Sequence, residues 1–98
     1  MRLSLALRSQ AQAEFADAAI WYESQRAGLG HEFVSEVEKT FDKIANQPDR
    51  YAIVHRDIRE AAVLRFPYSI YYRVRPHRLV VIAVFHSARD PGIWQSRQ

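Results

Sequence analysis

Seven consecutive apolar residues, Leu79-Val80-Val81-Ile82-Ala83-Val84-Phe85, restrict the fold of this chain more than any other feature. The run is far too short to cross a membrane, and an unbroken apolar stretch is what a strand covered on both faces requires. It predicts a central strand. Helices can cover one side of it, and something else must cover part of the other.

The preceding sequence supplies two helices. Leu3, Leu5 and Leu7 alternate with Arg2, Ser4, Ala6 and Arg8, a period-two strand with one apolar face. Ser9, with Gln12 three residues on, fits a capping box opening a helix to about Arg26. Phe15, Ala18, Ala19 and Tyr22 share one face of it, with Ala11 one turn earlier. Ala27-Gly28-Leu29-Gly30 ends it, since either glycine can take the left-handed conformation of a C-terminal cap. A second helix is expected from near His31. Its stripe is Val34, Val37, Phe41 and Ile44, flanked by Phe33 and Ala45, with Glu32, Glu36, Lys39 and Lys43 facing water, and Asn46-Gln47-Pro48 stops it. The short link predicts an antiparallel helical hairpin.

The remainder reads as sheet. Tyr51–Val54 is a short strand and Ile58–Phe66 a longer one, interrupted by Pro67. Tyr68, Ile70, Tyr72 and Val74 alternate with Ser69, Tyr71 and Arg73, which splits Tyr71 and Tyr72 between the two faces. Arg75-Pro76-His77-Arg78 is the turn into the apolar run, and Asp90-Pro91 opens a short tail helix through Ile93 and Trp94. The expected class is α+β: an N-terminal strand, an antiparallel helical hairpin packed on a mainly antiparallel sheet, and a short C-terminal helical tail.

Ninety-eight residues suit one domain over 1–98, with no linker or repeat. At 48% hydrophobic and 26% charged the chain is ordinary globular rather than disordered. It buries roughly two-thirds of its unfolded surface, enough for a core but not for a deep substrate cavity as well. The absence of cysteine excludes disulfides and thiolate metal sites and points to a reducing cytoplasm. The apolar stretch of residues 1–8 is too short and interrupted for a signal peptide. No metal-ligand spacing, phosphate loop or nucleophile motif is present, so no metal and no cofactor is expected.

The net charge of +3 is unevenly distributed. Up to Asp49, five basic residues face eight acidic ones, a net of −3; from Arg50 onward nine arginines and no lysine face three carboxylates, a net of +6. Arginine forks suit carboxylates and phosphates, so the basic half suggests an acidic partner, nucleic acid or protein. Alternatively the arginines line the solvent face of a sheet, or pair with helix carboxylates of the acidic half.

Four histidines are scattered. His31 and His55, at helix and turn edges, read as surface residues, and His77 lies in the hairpin turn. His86 ends the apolar strand beside Ser87, Arg89 and Asp90, where it could serve as a general acid or base, hold a phosphate, or simply secure the turn through a backbone hydrogen bond. Arg65, Arg89, Arg59 and Arg73 could gather as a phosphate site. Trp94 either packs the tail down or anchors a partner.

Several ordered segments resemble a known superfamily. Ala19-Ile20-Trp21-Tyr22-Glu23, Gly28-Leu29-Gly30-His31-Glu32-Phe33-Val34-Ser35-Glu36-Val37 and Ile44-Ala45-Asn46-Gln47-Pro48 resemble the helical hairpin of the ParE/RelE toxins. Arg65-Phe66-Pro67-Tyr68-Ser69-Ile70-Tyr71-Tyr72 and Val84-Phe85-His86-Ser87-Ala88-Arg89-Asp90-Pro91, with Trp94 and Arg97, resemble its ParE branch. The resemblance implies the RelE/ParE-like fold and the toxin of a type II toxin–antitoxin pair. It also implies a cognate antitoxin, often acidic, that wraps the toxin and binds operator DNA through its own N-terminal domain. ParE-like members inhibit DNA gyrase by binding, whereas RelE-like members cut mRNA on the ribosome.

The tail aromatic here is Trp94, which has no acid–base chemistry. Ser69 stands roughly where the ribonucleases often carry an arginine, and the second half lacks the lysines those members tend to use. The expected function is therefore gyrase inhibition without catalysis, in the cytoplasm, with Arg59, Arg65, Tyr68, Arg73, Arg89, Trp94 and Arg97 as target or antitoxin contacts. Alanine at both Arg89 and Trp94 should then relieve growth inhibition without unfolding the domain. The first rival is a ribosome-dependent endoribonuclease with His86 as base and Arg65 and Arg89 on the scissile phosphate. The second is a non-toxic remnant that only binds its antitoxin.

Overall fold

The computed structural model of the protein describes residues 3–97. Strand β1 (Ser4–Leu7) leads into helices α1 (Ser9–Gln25) and α2 (Leu29–Asn46) and a 3-10 turn at Pro48–Arg50. Strands β2 (Ile53–His55), β3 (Ile58–Ala62), β4 (Tyr68–Val74) and β5 (Arg78–His86) follow, and helix α3 (Gly92–Gln95) ends the described chain. The five strands form one sheet in the order β1-β5-β4-β3-β2. Only β1 with β5 is parallel; the other pairs are antiparallel. The α+β class and the element order are those read from sequence. Arg2, part of the N-terminal strand reading, lies outside the described residues.

β5 is the central strand. It pairs with β1 on one side and β4 on the other, and no residue from Leu79 to Phe85 is more than 8% exposed. Its register shifts between Tyr71↔Ala83 and Tyr72↔Val81, which leaves Ile82 as an extra residue, a β-bulge. The bulge re-aims the side chains. Leu79, Val81 and Val84 join the core under the helices, whereas Val80, Ile82, Ala83 and Phe85 join a second core on the opposite face. That second core is completed by Ile58 and by Trp94 of α3, with Tyr71 packed against it. The tail thus supplies the missing cover. Tyr72 is fully buried on the helix side, so the two tyrosines do split.

The helical hairpin covers the first face. Ala11 and Ala18 are buried, and Phe15, Ala19 and Tyr22 pack beside them, as the stripe on α1 predicts. On α2 the centre is Phe33 rather than Val34: Phe33 is fully buried among Tyr22, Phe66 and Tyr68, with ring centroids 5.0–5.2 Å away. Glu36, expected to face water, is 9% exposed. It lies one turn from Phe33 and Thr40 on the inner face, and it is paired with Arg65 (3.5 Å) and Lys39 (3.6 Å) instead of hydrated.

The link between the helices is held by one carboxylate. Gly28 takes φ +90° and is the N-cap of α2, and its N–H donates to Glu23 Oε2 (2.8 Å) while the Gly30 N–H donates to Oε1 (2.9 Å). These bonds, the Gly28 one first, hold the Glu23 carboxyl below its ordinary range. Gly30 is required by close approach: a Cβ there would sit 2.6 Å from the Ala19 carbonyl oxygen and 2.9 Å from Glu23 Cβ. Gly30→Ala must therefore push the helices apart. It is expected to destabilise the fold by about 1–3 kcal/mol, read as a lowered urea midpoint, even though alanine favours helix. An unchanged midpoint would show that the hairpin is looser than this close approach implies.

Three local expectations need correction. The capping box at Ser9 does not form, because the helix starts directly where β1 ends; Arg8 is the N-cap, no side chain caps it, and its own N–H donates to the Val81 carbonyl (3.0 Å). The strand after the helices is Ile53–His55 rather than Tyr51–Val54, because Arg59 donates to the Tyr51 carbonyl (2.6 Å) and ties that residue to the preceding turn. β3 ends at Ala62 rather than Phe66: the Val63 N–H donates to the Tyr68 carbonyl (2.9 Å), which closes a loop in which Arg65 adopts φ +72°.

Candidate functional site

β1 stops at Leu7, opposite Val81, so the edge of β5 beyond that point has no strand partner. Side chains from α1 and the tail fill the gap. The Val84 N–H donates to Glu14 Oε1 (3.2 Å), and Arg97 donates to the Ile82 carbonyl (3.2 Å). Arg97 also donates to both Glu14 oxygens (3.0 and 2.8 Å), and Arg89 donates to Glu14 Oε2 (3.1 Å). Covering a bare edge with paired charges prevents unwanted strand pairing. Arg89 further lies 4.3 Å from the Phe85 ring centroid, a cation–π geometry.

Beside this junction lies a cavity of about 310 Å³ between α1 and the end of β5. Trp21, Tyr68, His86 and Arg89 line it, with the Glu14 and Asp17 carboxylates. Trp21 is 57% exposed and Arg89 is 45% exposed at its side chain, so both are open to solvent. Tyr68 stands opposite His86 in the β4–β5 register, with its ring edge-on at 5.1 Å. Burial pushes the Tyr68 hydroxyl above its ordinary pKa.

His86 has a defined polarity. Its Nδ1 accepts the Ala88 backbone N–H (2.9 Å), so the Nδ1 lone pair is taken and Nε2 is the ring's donor position. The ring therefore secures the turn through Nδ1, and His86 lines the cavity beside it.

The other sequence candidates are dispersed. Arg65 donates to Glu32 Oε1 (2.6 Å), pairs with Glu36 and does not line the cavity with His86 and Arg89. That hydrogen bond is the main reason the Glu32 carboxyl sits below its ordinary range. Arg59 binds the Asp49 and Tyr51 carbonyls and the Asp49 carboxylate, and Tyr72 donates to the Pro48 carbonyl beside them, so these groups pin the 3-10 turn. Arg73 is buried and pairs with Asp57 (2.9 Å). The Asp57 carboxyl is lowered by this bond first, then by Arg75. Trp94 is 3% exposed and stacks on Tyr71 at 3.9 Å, with the half-buried His55 ring edge-on at 5.8 Å at the margin of the second core. Burial, then Glu60, pushes the Tyr71 hydroxyl up to about 12.

Sequence reasoning passes over Glu14, which joins the candidate arginines, and Trp21, which carries the exposed aromatic. The signal for Glu14 is its place three residues after Ala11 and four before Ala18, a carboxylate on the apolar face of α1. Among the described residues, no group of three or more metal-ligating His, Asp or Glu side chains gathers, and no helix is long and apolar enough to cross a membrane.

Comparison with known proteins agrees with this architecture. A solved structure described as the chromosomal ParDE TA system from P. aeruginosa matches with a TM-score of 0.73 at 16% identity, over 87% of this chain and 96% of that one, a likeness of fold. A search of curated protein sequences gives no significant match. The family model for the ParE toxin of the type II toxin–antitoxin system, parDE, matches residues 5–91. With nearly the whole sheet and both helices inside that match, the chain belongs to the ParE toxin family of type II toxin–antitoxin systems.

Proposed function

We propose that this protein is a toxin forming a single domain over residues 1–98, which inhibits DNA gyrase by binding it and is held inactive by a cognate antitoxin in the cytoplasm. In the complex, operator DNA would be bound through the antitoxin. The observation that most favours binding over cleavage is the polarity of His86. A nuclease base needs a ring nitrogen free to accept the substrate's proton, and the Nδ1 acceptor is already taken by the Ala88 N–H. Arg65 and Arg89, the residues a nuclease would place on one phosphate, are instead engaged by carboxylates on different helices, Glu32 and Glu36 on α2 and Glu14 on α1.

On this reading the exposed Trp21 and Arg89 contact the target, because large aromatics and arginines carry most of the energy of protein interfaces. Trp21→Ala combined with Arg89→Ala should raise the concentration for half-inhibition of gyrase supercoiling by about tenfold or more, the effect of losing at least about 1.4 kcal/mol of binding. The assay pairs supercoiling and cleavage-complex formation, with and without antitoxin, with a translation reaction probed for mRNA cuts. Gyrase inhibition weakened by the double variant, with intact mRNA, supports the proposal. Codon-specific mRNA cuts with unaffected gyrase overturn it in favour of the ribosome-dependent nuclease, and full potency of a folded double variant overturns the assignment of Trp21 and Arg89.

A further inference from the structure

A second, strongly cationic surface shares no lining residue with the His86 cavity and adjoins it through the Arg97–Glu14 pair. A cleft of about 590 Å³ opens between the β1–α1 junction, the β2–β3 turn, the end of β4 and the tail. Arg8, Arg56, Arg73, Arg75 and Arg97 line it, and Arg78 extends it through an adjoining depression that shares Arg8 and Arg75. Six arginines face one lining carboxylate, Asp57, in a chain whose net charge is only +3.

Three features mark this surface as more than a solvated face. Among the described residues, every arginine elsewhere has a protein partner for its side chain, whereas the guanidinium groups of Arg8, Arg56 and Arg78 have none and are exposed. Arg56 sits in the β2–β3 turn at φ +54°, a left-handed conformation that turns normally give to glycine or asparagine and that a long side chain adopts at a cost. Strained residues of this kind persist where position matters for function. The rest of the main lining, Gln95 and Ser96, is polar.

We propose that this arginine cleft holds the phosphodiester backbone of duplex DNA. Arginine, serine and glutamine are all among the side chains that contact phosphates. A peptide folding onto the cleft would need apolar pockets, and the main cleft offers none. A single strand would need an aromatic platform for its bases, but Tyr71 and Trp94 are stacked on one another. Duplex DNA needs only the charge, and the inference does not rest on the gyrase reading, because it concerns the protein alone.

Fluorescence anisotropy of the purified protein with a short labelled duplex of mixed sequence, between about 50 and 200 mM salt, tests it. Two variants carry the same loss of charge. Arg8→Gln/Arg56→Gln/Arg78→Gln removes the unpartnered arginines; Lys39→Gln/Lys43→Gln/Arg50→Gln removes three exposed charges elsewhere. The first should weaken binding about tenfold or more, with its circular dichroism unchanged. It should also flatten the slope of log affinity against log salt by about 0.9 for each phosphate no longer neutralised. The second should bind nearly as the parent does. Equal weakening in both variants, or no binding at the lowest salt, overturns the proposal. So does tighter binding of single-stranded DNA or duplex RNA, or displacement of the duplex by an equal charge of polyglutamate.

Discussion

Trp94→Ala is expected to cost about 3–5 kcal/mol, a large share of the stability of a domain this size. Trp94 is 3% exposed and closes the second core over Ile58, Val80, Ile82, Ala83 and Phe85. Removing it uncovers that face of β5 and the Tyr71 ring stacked against it. Trp94 is the one buried residue of the short α3, so its side chain is the main apolar anchor of the tail. Trp94→Phe should lose far less, because the indole N–H has no hydrogen-bond partner among the described residues and phenylalanine sacrifices no bond. Urea denaturation of both variants checks this. A Trp94→Ala protein within about 1 kcal/mol of the parent would mean that the tail is not docked in solution. The expectation that Trp94 could be truncated without loss of fold is thereby replaced: a test of the target surface has to leave Trp94 in place.

Phe33→Ala should produce a loss of similar size, about 3–5 kcal/mol, by a different route. Phe33 is fully buried and meets Phe15, Tyr22, Phe66 and Tyr68, with each ring pair edge-on or tilted. These rings come from both helices, the loop after β3 and the start of β4, and Phe33 is their common member. Alanine leaves a cavity that the stiff rings around it refill poorly. Phe33→Leu, closer in volume, should cost no more than about 1.5 kcal/mol. The ratio of the two losses, from chemical denaturation, is the readout. If leucine destabilises as much as alanine, the site depends on ring geometry and not on filled volume.

Both positions show where sequence reading reaches and where it stops. The stripe on α1 is legible because Ala11, Phe15, Ala18 and Tyr22 repeat at helical spacing. On α2 the same method centres the stripe on Val34, about one position from Phe33, because both residues are apolar and a periodicity cannot choose between adjacent hydrophobes. Glu36 reads as solvent-facing because carboxylates usually are, whereas its burial depends on Arg65, remote in sequence, reaching it from a loop. The candidate site is half legible. Tyr68, His86 and Arg89 are named by the sequence and do meet, but the Glu14 that holds Arg89 and Arg97 lies about seventy to eighty residues upstream.

The set of elements and their order follow from the chain alone, because helical and strand periods, turn residues and an unbroken apolar run are local signals. So does the central place of β5 and its need for two covers. Which residues face which cover is decided only in three dimensions. In a run that is apolar throughout, the bulge at Ile82 leaves no trace in the pattern, yet it re-aims every side chain beyond it. The pairing of the arginines is decided there too. Nine identical guanidinium groups in the second half are equivalent until folding brings carboxylates to some of them, and among the described residues none arrives at Arg56 or Arg78.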